Sequence, residues 1–125
     1  MTHIRLQSAI LRKRLAEPRR FIQVVSGPRQ VGKTTLVEHA LTASGLASRY
    51  ASADEPTLRG QDWIEEQWEA ARLLAKGASG KGAVLVIDEV QKIGDWSETV
   101  KRLWDGDSRR GIPLRVVLLG SAPLL

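Results

Sequence analysis

The chain contains no cysteine, no signal-peptide pattern and no apolar run long enough to cross a membrane. The first absence excludes a disulfide framework, and the other two remove the usual signs of secretion or membrane insertion. We therefore expect a cytoplasmic protein that does not contact a membrane. The two histidines, His3 and His39, have no metal-ligating neighbours in the sequence and predict no metal site. There is also no internal repeat.

The positive charge of the chain is dispersed. Its 125 residues suffice for one domain and carry a net charge of +5. The densest basic stretches are residues 12–14, 19–20 and 109–110. Segment 1–20 places Ile4, Leu11 and Leu15 at helical spacing, which predicts an amphipathic basic helix ahead of a core of residues 21–125. Its charges form either a solvated helix face, which we favour, or a contact for nucleic acid or an acidic partner, although no base-reading motif accompanies them.

The most informative segment is residues 27–34, which fits the phosphate-binding pattern G-x-x-x-x-G-K-[ST]. A mostly apolar, β-branched run at residues 21–26 precedes it and predicts a buried parallel strand. Helical spacing follows from residue 34 to residue 43 and ends near Gly45. Strand, loop and helix therefore occur in the order that a P-loop requires.

The residue types of this loop suit polyphosphate chemistry. Gly27 and Gly32 allow a tight turn with inward-pointing N–H groups, and a helix starting near Lys33 adds the positive end of its dipole. Lys33 is expected to reach the β- and γ-phosphates, and the Thr34 hydroxyl to ligate Mg²⁺. The predicted nucleotide-binding residues are Gly27, Pro28, Arg29, Gln30, Val31, Gly32, Lys33, Thr34 and Thr35. For Arg29 and Gln30, a solvated loop tip is an equally open interpretation.

A second apolar run, residues 83–89, ends in two acids and predicts a strand buried on both faces. This is the Walker B arrangement. Asp88 is expected to hold Mg²⁺ through water, and Glu89 to polarise the attacking water and accept its proton. Because an acid that activates water is not needed for transfer to a bound hydroxyl, Glu89 favours hydrolysis. The Asn-Lys-x-Asp guanine reader of GTPases is absent from the sequence.

The remaining segments complete an alternating pattern. We predict strands at residues 48–53 and 114–119, a helix at 62–76, and a helix that Asp95 caps with Glu98. Residues 105–113 are predicted to be a polar basic loop. Ser121, after the last strand, either meets the γ-phosphate or the attacking water, or is an ordinary turn serine. Asp54 either contacts Glu89 or the metal shell, or ends a strand.

Three motifs together resemble one known family, the AAA+-like ATPases of bacteria and archaea whose P-loop domain precedes a C-terminal domain of uncharacterised function. They are Gly-Pro-Arg-Gln-Val-Gly-Lys-Thr-Thr-Leu (27–36), Ile-Asp-Glu-Val-Gln-Lys-Ile (87–93) followed by Asp95-Trp96, and Leu-Gly-Ser-Ala (119–122). The resemblance implies ATP and Mg²⁺ binding, with Lys33 and Glu89 catalytic, Thr34 and Asp88 at the metal, and Ser121 at the sensor position.

The expected architecture is an α/β three-layer P-loop NTPase of the AAA+/ASCE-like type with a parallel sheet, apparently truncated after its fourth strand. In such sheets the first strand lies between the fourth and fifth, so strand 21–26 is expected to form an exposed edge. We expect this edge either to drive self-association or to be covered by the N-terminal segment. The favoured function is ATP hydrolysis within a larger protein; the alternative is a non-catalytic module that binds nucleotide, nucleic acid or a partner.

Overall fold

The structure is a computed structural model that describes residues 2–26, 32–54, 60–77 and 81–121, and their side chains except those of residues 2–8 and 61. The helices are α1 (Thr2–Ala16), α2 (Lys33–Ser44), α3 (Gln61–Gly77) and α4 (Trp96–Arg110). The strands are β1 (Gln23–Ser26), β2 (Ala47–Ser52), β3 (Ala83–Asp88) and β4 (Leu114–Gly120). A 3-10 turn at Val90–Lys92 follows β3.

The four strands form one parallel sheet in the order β1-β4-β3-β2. Its register pairs Ser26 with Gly120 and Ser52 with Asp88, so the carboxyl ends of all four strands meet at one edge. The central strands β3 and β4 are apolar along nearly their whole length, as expected of strands covered on both faces. The sheet therefore presents the predicted acids at its carboxyl edge.

Helices cover both faces of the sheet, which gives the predicted three layers. On one face α1 and α2 bury Leu11, Leu15, Leu36, Val37 and Ala40 against Val25, Val84, Val86, Val117 and Leu119. On the other face α3 and α4 bury Ile64, Trp68, Ala71, Val100 and Leu103 against Leu85, Ile87, Leu114, Val116 and Leu118. Alternate residues of β3 and β4 thus enter opposite cores, which is the period-2 consequence of a pleated strand.

The prediction of a loop at residues 105–113 is wrong, because α4 continues to Arg110 and ends at Gly111 in the left-handed conformation. Asp107 is fully buried there. Its carboxylate accepts hydrogen bonds of 2.7 Å from Trp68 Nε1 and from Arg72 Nε, both on α3. These partners offset the cost of burying a charge, and they hold the last turns of α4 against α3.

Asp95 does precede α4, but the predicted side-chain cap is wrong. Its backbone has a φ of 57°, and the side chain makes no capping hydrogen bond. The Asp95 carbonyl instead accepts bonds from the amide and the hydroxyl of Thr99 at 3.2 Å. The first turn of α4 is therefore closed by backbone geometry.

Strand β1 lies at the edge of the sheet within the described part of the chain. It begins at Gln23, two residues later than predicted, and leaves Phe21 and Val24 largely exposed. Helix α1 packs on α2 and on the sheet face that includes Val25 of β1, and Val24 on the opposite side of the strand stays exposed. The chain between α1 and β1 is held by Arg19, which stacks 3.5 Å from the Trp104 ring centroid and donates 2.8 Å to the Leu114 carbonyl.

Candidate nucleotide-binding site

The parallel topology gathers polar side chains from three neighbouring strands and one helix at the carboxyl edge of the sheet. They are Lys33 and Thr34 of α2, Tyr50 of β2, Asp88 and Glu89 at the end of β3, and Ser121 after β4. Crevices outside the carboxyl ends of the strands are where open α/β sheets bind their ligands. The predicted residues of this set are therefore brought together by the fold.

Lys33 begins α2 and is almost completely buried. Its ammonium Nζ donates a hydrogen bond of 2.9 Å to the carbonyl of Gly120 at the end of β4. Gly32, the residue before it, has a φ of 75°, a conformation that glycine adopts without strain. A buried cation at a helix N-terminus adds to the positive end of the helix dipole, so this corner of the site favours an anion.

The Asp88 carboxylate is joined to Thr34 through Tyr50. The Tyr50 hydroxyl donates to Asp88 Oδ2 at 2.6 Å, and it lies 3.4 Å from Thr34 Oγ1. Burial first, and then the hydrogen bond to Asp88, raise the pKa of the Tyr50 phenol above its usual range. The phenol is therefore protonated at neutral pH and available as a donor.

Glu89 is held in an unusual position immediately after β3. Its backbone has a φ of 55°, which costs a residue with a side chain roughly 1–2 kcal/mol. Its side chain is buried, and Ser121 Oγ donates 3.0 Å to Oε2 while Gln91 Nε2 lies 3.4 Å from Oε1. Strain of this kind persists where surrounding contacts impose it, and it is often found at functional sites.

The structure says less about the other predicted residues. Asp54 forms an ion pair with Lys92 of the turn after β3. Thr35 is exposed in the first turn of α2. The five predicted loop residues Gly27, Pro28, Arg29, Gln30 and Val31 lie outside the described residues.

Tyr50 and Gln91 are the two site residues that sequence reasoning missed. Tyr50 is two positions before Ser52, the β2 residue that pairs with Asp88, so the strand register was the signal that would have found it. Gln91 belongs to the turn that returns the chain past Glu89. Its Oε1 is buried and has no hydrogen-bond partner among the described residues. A buried acceptor beside a candidate base is suited to a water molecule or an incoming donor.

The oxygen atoms of Thr34 and Asp88 suit a hard cation such as Mg²⁺. Within the described ranges no group of three or more histidine or acidic side chains is arranged to hold a metal ion. A cation here would take its remaining ligands from phosphate and water, which is how Mg²⁺ binds in nucleotide sites. The donor set thus fits Mg²⁺ bound together with a nucleotide.

Solved AAA+ proteins share this fold. RuvB of Thermotoga maritima, as its R170A variant, aligns with a TM-score of 0.64 at 18% identity over 97% of this chain and 38% of its own. AMPPCP-bound DnaA of Aquifex aeolicus aligns with a TM-score of 0.58 at 18% identity, over 94% of this chain and 38% of its own. A katanin structure, described as the structural basis of katanin self-assembly, aligns with a TM-score of 0.58 at 19% identity, over 92% of this chain and 42% of its own. The fold is therefore that of the AAA+ P-loop ATPases.

Sequence comparison gives the family. Residues 19–125 match the family AAA_14, described as an AAA domain, and the chain belongs to this family. Two uncharacterised proteins, from Mycobacterium bovis and Mycobacterium tuberculosis, are each 34% identical over 119 residues, which is 95% of this chain but only 24% of theirs. The chain thus spans about a quarter of the length of these relatives. Family and fold together make it a nucleotide-binding domain of the ATPase type.

No described helix is long and apolar enough to cross a membrane.

Proposed function

We propose that this chain binds ATP with Mg²⁺ at the carboxyl edge of its sheet and supports hydrolysis of the γ-phosphate as the ATPase part of a larger protein. The single observation that carries the proposal is the convergence of Lys33, Asp88 and Glu89 at that edge, each held by a contact that orients it. A phosphate chain entering there meets one buried cation and the start of α2.

Lys33 is expected to stabilise the negative charge of the β- and γ-phosphates. Its ammonium donates to the Gly120 carbonyl, and this bond fixes its position at the start of α2, where phosphate oxygens would bind. Thr34 and Asp88 are the residues that would hold Mg²⁺. When bound, this ion neutralises phosphate charge that would otherwise repel the attacking oxygen.

Glu89 is proposed to orient the attacking water and accept its proton. Ser121 Oγ donates to Glu89 Oε2, and Gln91 Nε2 lies against Oε1. These contacts orient the Glu89 carboxylate from both sides. Ser121 acts in this scheme by holding Glu89.

The alternative is a module that binds nucleotide without hydrolysing it and acts through a partner. Among the described residues β1 is an edge strand, and such a strand pairs either with a further strand of a longer protein or with a partner; pairing with a partner would support this candidate. The self-assembly named for the katanin structure is consistent with such contacts. Because basic charge is spread over the chain, nucleic acid is a second partner that such a non-catalytic module could bind. A cytoplasmic location remains our prediction.

Titration calorimetry with ATP, ADP and GTP, each with and without Mg²⁺, tests the binding proposal, and steady-state phosphate release tests hydrolysis. We expect ATP and ADP to bind and Mg²⁺ to strengthen ATP binding. Tight ATP binding without any phosphate release from the longer protein would favour the non-catalytic alternative. Absence of ATP binding would contradict both.

A further inference from the structure

The Tyr50 hydroxyl lies between the two side chains that would hold the metal. It is 2.6 Å from Asp88 Oδ2 and 3.4 Å from Thr34 Oγ1, and these side chains come from three different elements, β2, β3 and α2. We propose that Tyr50 is a positioning residue for the Mg²⁺ of the bound nucleotide, and that it acts through Asp88 and Thr34. This inference rests on the proposed function.

The direction of each hydrogen bond follows from chemistry. An ionised Asp88 carboxylate only accepts, so the single phenolic proton is directed to Asp88 Oδ2. In the longer contact Thr34 must then be the donor and Tyr50 the acceptor. The bonds run from Thr34 to Tyr50 to Asp88.

The direction of the hydrogen bond from Thr34 determines which atoms of Thr34 can bind a metal ion. A threonine hydroxyl has one proton and two lone pairs, and a metal ion binds to a lone pair. When the proton of Thr34 points at Tyr50, the lone pairs face away from the phenol and are free to ligate. Tyr50 likewise occupies one oxygen of Asp88 and leaves the other for a metal-bound water.

Partners that hydrogen-bond a metal ligand fix its orientation, and their loss typically costs 10–100-fold in metal affinity. The position of Tyr50 on β2 suits this task because β2 pairs directly with β3 and its register aligns Ser52 with Asp88. The phenol is thus held on the strand next to the acid that it orients. No other described side chain donates a hydrogen bond to Asp88.

The test compares Tyr50→Phe with the unaltered chain. ATP affinity is measured by titration calorimetry in excess EDTA and over a series of Mg²⁺ concentrations, which gives the Mg²⁺ concentration for half-maximal strengthening of ATP binding. We expect Tyr50→Phe to raise that concentration about tenfold and to change the affinity in EDTA by less than about twofold. The conservative change removes one oxygen and keeps the ring, so a lost packing contact does not explain the shift.

Two further variants show whether Tyr50 acts through Asp88. Asp88→Asn should also raise the half-maximal Mg²⁺ concentration, and Tyr50→Phe added to Asp88→Asn should raise it little further, because contacting residues are not additive when one acts through the other. Arg49→Ala is the matched control. Arg49 is the neighbour of Tyr50 on β2, and it bonds Gln67 of α3 rather than the site, so its loss should leave the Mg²⁺ dependence unchanged.

The outcomes separate this inference from the proposal on which it rests. If the unaltered chain binds no ATP, the proposed function and the inference fall together. If it binds Mg-ATP and Tyr50→Phe has an unchanged or lower half-maximal Mg²⁺ concentration, only the inference is overturned. A purely structural role would instead weaken ATP binding in EDTA by the same factor as in Mg²⁺, and that result also overturns it.

Discussion

Ser121 donates a hydrogen bond of 3.0 Å to Glu89, across the two neighbouring strand ends of β4 and β3. The residue before Ser121, Gly120, accepts the bond from the Lys33 ammonium. The end of β4 therefore holds the candidate phosphate-binding cation with its backbone and the candidate base with a side chain. Two residues in sequence thus fix the relative positions of Lys33 and Glu89.

Removal of the Ser121 hydroxyl should slow hydrolysis without weakening binding. Ser121→Ala removes the hydroxyl that donates to Glu89 Oε2, and a hydrogen bond to a charged group is typically worth about 1.5–3 kcal/mol. We expect phosphate release to slow about tenfold or more, with ATP affinity within about twofold of the unaltered protein. Ser97→Ala, an exposed serine of α4, is the control and should change neither. An equal loss of ATP affinity would show that Ser121 acts on the nucleotide instead.

Glu89→Gln should separate binding from hydrolysis more completely. The amide keeps the shape of the side chain but cannot accept the proton of the attacking water. Mg-ATP binding should stay near its original strength, while phosphate release falls to background in the longer protein. Glu66→Gln, on the exposed face of α3, removes the same charge away from the site and should release phosphate normally. Undiminished turnover in Glu89→Gln would mean that another group is the base.

Asp107 should be essential for stability and irrelevant to the chemistry. Asp107→Ala removes the buried carboxylate that accepts from Trp68 Nε1 and Arg72 Nε, and leaves Arg72 with Glu69 and the Leu103 carbonyl. Breaking a buried ion pair from one side typically costs about 3–5 kcal/mol, which urea unfolding would measure. Asp62→Ala, an exposed acid of α3, should cost under about 0.5 kcal/mol. A similarly small loss for Asp107→Ala would contradict the role assigned to this cluster.

Asp107 also shows where prediction from sequence stops. Residues 105–113 contain two acids, two arginines and two glycines, and this local composition indicates a loop. The helix persists because Asp107 meets Trp68 and Arg72, which are 39 and 35 positions away in the chain. Contacts over such distances have no periodic signature, whereas the strands and helices do, and most of these were predicted to within about two residues.

The residues of the candidate site also divide into those that the sequence predicts and those that it does not. Lys33, Thr34, Asp88 and Glu89 follow strands or begin a helix, so motif spacing and parallel topology suffice to bring them together. Tyr50 lies inside a strand, and only the pairing of Ser52 with Asp88 shows that its hydroxyl reaches the acid. A register is a relation between two strands and is not present in either segment alone.

The β1 edge gives a prediction about assembly. Val24 is 54% exposed on an edge strand, and such edges pair with other chains unless charge blocks them. We expect the 125-residue chain to sediment increasingly as dimers or larger species as its concentration rises. Val24→Lys should shift it toward monomer and leave ATP affinity unchanged. A monomer at all concentrations would exclude association through β1.

The central claim is that the carboxyl edge of this sheet is a polyphosphate site built around Lys33, and titration calorimetry of Lys33→Ala with Mg-ATP tests it most directly. The control is Lys101→Ala, which removes the same charge from the exposed face of α4. Loss of the charge-assisted phosphate contact should weaken ATP binding at least tenfold, or about 1.4 kcal/mol, in Lys33→Ala alone. Both variants should retain their cooperative thermal unfolding. Equal ATP affinity in folded Lys33→Ala and Lys101→Ala would contradict the account.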